Sequence, residues 1–222
     1  TQLQSSAASD VYKRQSHIQP KDMKDLIISP NSSFEWLIKK IENEIDFAKK
    51  NLPSGIWIKC NAIVDSKLIE KLYEASNAGV KINLFVRGIC CLKPNVKGLS
   101  ENIIVKSIIG RFLEHGRIYV FANGGEFQSI KNDVYISSAD MMPRNLYTRV
   151  EAYVPLKNET VRSQILTQVI PALINDTKNS WLLEQTGEYV KLEDKLNFCS
   201  HSYFMENPSL SGQGTLSKFK TA

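Results

Sequence analysis

The feature that most constrains the fold is a strand, a helix and a second strand joined by short links. Residues 56–64, IWIKCNAIV, have the apolar, β-branched composition of a buried strand, and residues 81–88, KINLFVRG, repeat it. Between them Asp65 is a candidate N-cap, residues 66–78 have helical character and Gly79 is a candidate stop. A helix crossing between two strands makes them parallel, so this stretch predicts an α/β fold.

Other segments extend this pattern in both directions. Ser32-Ser33-Phe34-Glu35 has the spacing of a capping box and opens a run with helical periodicity. Further strands are predicted at residues 103–109, 117–122, 134–140 and 150–156. GRFLEH, residues 110–115, is predicted as a short helical turn, and residues 158–175 as a helix interrupted at Pro171.

The two ends of the chain differ from its centre. Residues 1–20 are rich in Ser, Ala and Gln, and SSAASDVYKRQ resembles translated adapter sequence, so this segment is predicted to be extraneous and the chain a fragment. The folded domain is predicted to span residues 21–195, and residues 196–222 to be a flexible tail. His17 and His201 fall in these end segments, so neither is expected to have a chemical role.

Hydropathy and cysteine content restrict the setting. No apolar run reaches the roughly 18 residues that cross a bilayer, and no signal peptide is visible. The four cysteines fit no zinc pattern, which favours reduced thiols in a cytosolic protein.

Positive charge is concentrated in one window. Between Lys81 and Arg117 lie seven basic residues and two acidic ones, an excess of +5 that equals the net charge of the whole chain. Such a window is typical of either a solvated basic face or a surface for a polyanion such as nucleic acid, nucleotide or polyphosphate.

Reactive side chains gather where predicted strands end, which is where open α/β sheets bind ligands. These side chains are Arg87, His115, Ser137, Ser138, Asp140, Arg144, Asn145, Arg149 and Glu151. Arginine fits phosphate oxygens bidentately, and histidine can act as a nucleophile or a proton shuttle. The combination is therefore suited to phosphoryl chemistry. His115-Gly116-Arg117 also resembles, with Arg in place of Lys, one His-x-Lys half-motif of the phospholipase D superfamily.

Longer strings carry a family likeness. The run from VKINLFVRG through IIVKSIIGRFLEHGRIYVFANGG, then VYISSADMMPRNL and RVEAYVPL, strongly resembles the C-terminal region of polyphosphate kinase of the first type. The likeness covers roughly residues 24–192. It implies a phospholipase D-like, three-layer α/β fold, a mixed β-sheet flanked by helices.

The resemblance also implies an activity and its residues. The family reversibly transfers the terminal phosphate of ATP to polyphosphate with Mg²⁺, through a phosphohistidine in a first phospholipase D-like domain. His115 in FLEHGR matches a second catalytic histidine, Arg87 in VRG a phosphate ligand, and Glu151 in RVE a carboxylate near the nucleotide. Supporting positions are Arg111, Asp140 and Arg149.

The implied parent enzyme is an ATP-binding, magnesium-dependent transferase and phosphoprotein. Its expected location is the cytoplasm, with peripheral association with the inner membrane as a further option. Its expected partners are ATP or ADP, polyphosphate, its own N-terminal domains and further copies of itself, without nucleic acid. The phosphorylated histidine, and with it the magnesium ligands, is expected outside this chain, so the fragment alone is expected to be inactive. SADMM in place of the common SADWM removes an aromatic side chain. Two alternatives stay open: a polyanion-binding module, and a phospholipase D-type phosphodiesterase acting as a dimer.

Overall fold

The structure, a computed structural model, describes residues 25–192 and 197–207. The predicted segment 1–20, with His17, lies outside the described residues. The strands are β1 (Ile27–Ser29), β2 (Gly55–Cys60), β3 (Lys81–Val86), β4 (Ile103–Ile108), β5 (Arg117–Phe121), β6 (Asp133–Ser137), β7 (Glu151–Pro155), β8 (Ser180–Leu183) and β9 (Tyr189–Lys191). The helices are α1 (Ser33–Lys49), α2 (Ser66–Asn77), α3 (Pro143–Tyr147), α4 (Glu159–Gln164), α5 (Ile170–Asn175) and α6 (Ser200–Glu206), with a π-helical turn (Ile165–Val169) between α4 and α5.

The nine strands form one mixed sheet in the order β1-β7-β6-β5-β2-β3-β4-β8-β9. Its centre, β2-β3-β4, is parallel, as the strand-helix-strand stretch predicts. All other neighbouring strands pair antiparallel. Helices cover both faces, with separate apolar cores above and below the sheet. One core packs α1 and α2 against the sheet, and the other packs α5 and the π-helical turn against it. The predicted fold class, a mixed sheet flanked by helices in three layers, is confirmed.

Local signals around the central unit are confirmed in part. Asp65 accepts a hydrogen bond from the Leu68 N–H at 3.0 Å and caps α2, and Gly79 follows the helix at φ +95°. The capping box at Ser32 is wrong, because the Ser32 side chain makes no cap hydrogen bond. Its hydroxyl donates to the Ile28 carbonyl at 3.2 Å, which closes the turn that follows β1.

The predicted break at Pro171 does not occur. Residues 159–175 stay helical, because the π-helical turn just before the proline places the Ile170 N–H on the Ile165 carbonyl, five residues back. This widening accommodates a proline that lacks an N–H. Among the described residues, no helix has both the length and the apolar character needed to cross a membrane.

Two further predictions are wrong. Residues 110–115 form no helical turn; they cross from β4 to β5 as bends and extended chain. Residues 200–206 form α6, although the sequence predicted a flexible tail from residue 196. Helix α6 is held in place because the Asp176 carboxylate accepts hydrogen bonds from both the N–H and the hydroxyl of Ser200, each at 2.7 Å.

A buried lysine connects β4 to the end of α5. The Lys106 side chain is only 7% exposed, and its Nζ donates to the carbonyls of Leu173, Ile174 and Asp176 at 3.3, 2.5 and 3.0 Å. These carbonyls lie where the helix leaves its last acceptors unsatisfied, so the ammonium acts as a C-terminal cap. Burial lowers the pKa of Lys106 to about 8, although the negative charge of Asp176 acts to raise that pKa.

Lys106→Met is expected to change how stability depends on pH. In the unfolded chain Lys106 keeps its proton up to about pH 10.5, whereas in the folded chain it loses it near pH 8. Unfolding therefore takes up a proton between these values, and the contribution of Lys106 to the free energy of unfolding rises with pH. We expect the difference between wild type and variant to grow by about 2 kcal/mol between pH 7.5 and 9.5.

Urea unfolding at several pH values measures this difference, and the subtraction removes the titration of cysteines and tyrosines common to both proteins. Lys81→Met, at an exposed position of β3, is the control for losing a positive charge. A wild type to Lys106→Met difference that stays constant with pH would contradict the prediction.

Candidate functional site

The carboxyl edge of the parallel strands carries most of the polar side chains singled out in the sequence. Strand β2 ends at Cys60 opposite Val86 of β3, so Asn61 and Arg87 follow at the same edge. Strand β5 runs the other way, and its first residue, Arg117, therefore lies at this edge too. The end of β6 and the start of β7 complete the edge.

A two-point ion pair lies at the centre of this edge. Arg117 donates from Nε and Nη2 to the two carboxylate oxygens of Asp140, at 3.1 and 3.0 Å. Asp140 also accepts the Asn61 N–H at 2.7 Å. Burial acts to raise the pKa of Asp140, but the bonds from Arg117 and Asn61 outweigh it and hold that pKa below its ordinary value. The same pair raises the pKa of Arg117. The two groups are therefore a permanently charged, mutually oriented unit.

His115 is fixed through its backbone and exposes its side chain. The third nitrogen of the Arg117 guanidinium, Nη1, donates to the His115 carbonyl at 2.9 Å. The His115 residue is exposed, so its imidazole is accessible to a ligand. The structure thereby assigns Arg117 a role that the sequence did not indicate. Its guanidinium is committed to Asp140 and to the backbone of His115.

Arg87 is oriented by one amide. Its Nε and Nη2 donate to the Asn61 side-chain oxygen at 3.3 and 3.1 Å. A guanidinium has five N–H groups, so within the described part of the chain these contacts leave three for an anion. Asn61 thus contacts Arg87 through its side chain and Asp140 through its backbone, which joins the predicted phosphate ligand to the Asp140–Arg117–His115 chain of contacts.

Glu151 lies in its own small hydrogen-bond group. The Ser138 hydroxyl donates to one carboxylate oxygen, and the Asn145 amide donates to the other at 2.6 Å. The charge of Glu151 also contributes to the raised pKa of Arg117, so the two groups lie within electrostatic reach of each other. The edge therefore alternates cations and carboxylates, Arg87, Asp140, Arg117 and Glu151, beside an exposed imidazole.

Some predicted residues do not join this cluster. Within the described residues, no hydrogen bond or ion pair connects Arg111 or Arg149 to it; Arg111 lies over the Phe112 ring at 5.9 Å.

The basic window from Lys81 to Arg117 is also not one binding surface. Lys106 is buried against helix carbonyls and Arg117 is paired with Asp140, so two of its seven cations are used internally.

Sequence reasoning missed Asn61. It directly follows β2, at the same edge as Arg87, but the predicted strand at residues 56–64 includes it, so the rule that selects residues at strand ends did not apply to it. The role of Asn145 as the partner of Glu151 depends on a contact that no sequence spacing predicts.

The described residues do not present a metal site. They contain no group of three or more His, Cys, Asp or Glu side chains close enough to hold an ion. Asp140 is committed to Arg117, and Glu151 to Ser138 and Asn145. The described residues at this edge therefore do not fit a resident Mg²⁺.

The fold and the edge together define a class: an α/β domain with an oriented arginine and an exposed histidine at the carboxyl ends of its parallel strands, an arrangement suited to phosphate groups. Comparison with known proteins gives the particular family. The chain belongs to the family described as polyphosphate kinase C-terminal domain 2, whose model matches residues 26–200. The resemblance found in the sequence is confirmed.

Individual relatives agree with this assignment. The chain is 50% identical over 199 residues to a polyphosphate kinase of Erythrobacter litoralis, covering 89% of this chain and 28% of that protein. The crystal structure of polyphosphate kinase from Porphyromonas gingivalis matches with a TM-score of 0.81 and 30% identity, over 89% of this chain and 30% of that one. The chain thus spans less than a third of the length of its polyphosphate kinase relatives.

Proposed function

We propose that this chain is a catalytic portion of an ATP:polyphosphate phosphotransferase, in which His115 and Arg87 act on the phosphate groups being transferred. The observation that carries the proposal is the continuous series of contacts from Arg87 through Asn61, Asp140 and Arg117 to His115. This series connects an anion-binding guanidinium to the backbone of a residue whose imidazole is exposed. Family membership supports the same activity.

In this proposal each side chain has a distinct task. The N–H groups of Arg87 that Asn61 does not use bind phosphate oxygens and offset the charge that develops as the phosphoryl group moves. The imidazole of His115 holds or moves a proton at the transferring group. Glu151, held by Ser138 and Asn145, lies beside the nucleotide.

The wider setting is part of the same proposal. The described cysteines, Cys60, Cys90, Cys91 and Cys199, are free thiols, which supports a cytoplasmic enzyme. A magnesium requirement, a homo-oligomer and a peripheral contact with the inner membrane stay predictions. The phosphodiesterase alternative is less well supported. Arg117 stands where lysine is expected, and both Nε and Nη2 of its guanidinium donate to Asp140.

The activity is tested by transfer of labelled terminal phosphate from ATP into acid-insoluble polyphosphate. We expect transfer by a protein with the full length of the relatives and none by the 222-residue chain expressed alone, since a site built from two facing domains needs both. Absence of transfer by the full-length protein would contradict the function. Comparable rates from both would contradict the two-domain argument only.

Arg87→Ala is expected to weaken polyphosphate binding by the isolated chain about 10- to 100-fold, because hydrogen bonds from a charged donor are lost. Titration at fixed salt concentration measures the dissociation constant. Lys81→Ala is the matched control, since Lys81 begins β3 and so lies at the opposite edge of the sheet. Equal weakening by both variants would indicate only general attraction between charges.

A further inference from the structure

The segment that carries His115, residues 110–116, has no regular secondary structure and is fixed by side chains from elsewhere in the fold. On the sheet side, Lys59 of β2 donates from Nζ to the Gly116 carbonyl at 3.2 Å and pairs with Glu114 at 3.1 Å. Arg117 holds the His115 carbonyl from the same side. These contacts restrain only the end of the segment next to β5.

The other end of the segment is held by His201 of α6. This histidine is 2% exposed, and its Nδ1 accepts the Phe112 N–H at 3.3 Å. Its Nε2 lies 3.8 Å from a carboxylate oxygen of Glu114, and its ring lies 5.5 Å from that of Phe112. A nitrogen that accepts a hydrogen bond has no proton of its own, so the proton is on Nε2 and faces Glu114.

His201 is itself rigidly supported. Asp176 binds Ser200, the neighbour of His201, through one carboxylate oxygen. Its other oxygen accepts from the Asn179 N–H and the Ser180 hydroxyl, each at 3.0 Å. The loop fits closely on the histidine, because a Cβ at Gly110 would lie 2.5 Å from its Nδ1. Glycine is therefore needed at position 110 for this contact.

We infer that His201 is a positioning residue for the phosphotransfer reaction: it holds the backbone at Phe112, and through that contact sets the place of the His115 imidazole. The inference deepens the proposed function and rests on it where turnover is concerned. Because misplacement of a reacting group by about 1 Å can lower a rate by about 10²-fold, releasing this contact is expected to lower kcat about 10- to 100-fold. The substrate KM should change far less, since no substrate contact is removed.

The first test needs no activity. In the wild-type chain, ¹⁵N NMR of the histidine rings should show His201 as the Nε2–H tautomer, assigned by its loss in a His201 variant. Amide hydrogen exchange at Phe112 should be at least about 10-fold faster in His201→Phe, which keeps a ring but loses the acceptor. His201→Asn, whose amide oxygen can take the place of Nδ1, should restore slow exchange. Ser202→Ala, at an exposed position of α6, is the matched control.

The second test measures kcat and KM for the same three variants in the full-length phosphotransferase. His201→Phe should lose turnover, while His201→Asn and Ser202→Ala stay close to wild type. An Nδ1–H tautomer in the wild-type chain, unchanged Phe112 exchange in a folded His201→Phe chain, or wild-type kcat in His201→Phe would each overturn the inference. If exchange responds as expected but the wild-type enzyme transfers no phosphate, the proposed function fails and the structural role of His201 stands.

Discussion

Replacing His115 with glutamine in the proposed full-length phosphotransferase is expected to lower the turnover number for polyphosphate synthesis by about 10²- to 10⁴-fold, the range typical of a lost acid-base group. Within the described part of the chain, His115 is exposed and is held through its backbone carbonyl by the Arg117 guanidinium. Glutamine keeps that backbone contact and a polar side chain but cannot exchange a proton near neutral pH. Stability should therefore stay nearly unchanged while chemistry is lost.

The measurement is the initial rate of labelled polyphosphate formation at saturating ATP, together with thermal unfolding of both proteins. KM for ATP should stay within about threefold of wild type, because the change acts on the transferring group. Glu126→Gln is the matched control, at an exposed site in the link between β5 and β6. A His115→Gln enzyme that keeps more than about a tenth of the wild-type rate would show that His115 has no acid-base role.

The central unit of the fold could be predicted because its signals are local. Asp65 caps α2 through the amide three residues on, and Gly79 adopts a positive φ that other residues rarely take. The carboxyl edge followed from parallel pairing, a consequence of the same unit, so Arg87 could be placed there from the sequence. These inferences depend only on residues close together in sequence and on the right-handedness of strand-helix-strand connections.

The contacts within the site could not be predicted, because they join residues far apart in sequence. Asp140 binds an amide 79 residues away, and His201 binds one 89 residues away. The burial of Lys106 could not be predicted either. The charge window treats Lys106 as a surface cation, yet it lies inside the fold against helix carbonyls. The stretch around His201 lacked apolar periodicity, and its helix is fixed instead by hydrogen bonds to one buried carboxylate, Asp176.

The other large effect is expected from Asp140→Ala, which should lower the free energy of unfolding by about 3 kcal/mol. The change leaves the guanidinium of Arg117 without its carboxylate and the Asn61 N–H without its acceptor, both in a largely buried place. Removing one partner of such a pair leaves the other charge desolvated, which is more damaging than removing both. Because Arg117 also holds the His115 carbonyl, phosphotransfer should fall as well.

Urea unfolding near neutral pH measures the loss, and a double-mutant cycle with Arg117→Met separates the pair from its surroundings. The double variant should be more stable than the sum of the single losses predicts, since it leaves no unpaired charge. Asp25→Asn is the matched control: the Asp25–Lys157 pair is exposed, at 64% and 66%, and should contribute less than about 0.5 kcal/mol. An Asp140→Ala loss no larger than that of the control would show that the pair does not hold the edge together. The rigid series of contacts from Arg87 to His115 would then lose its physical basis.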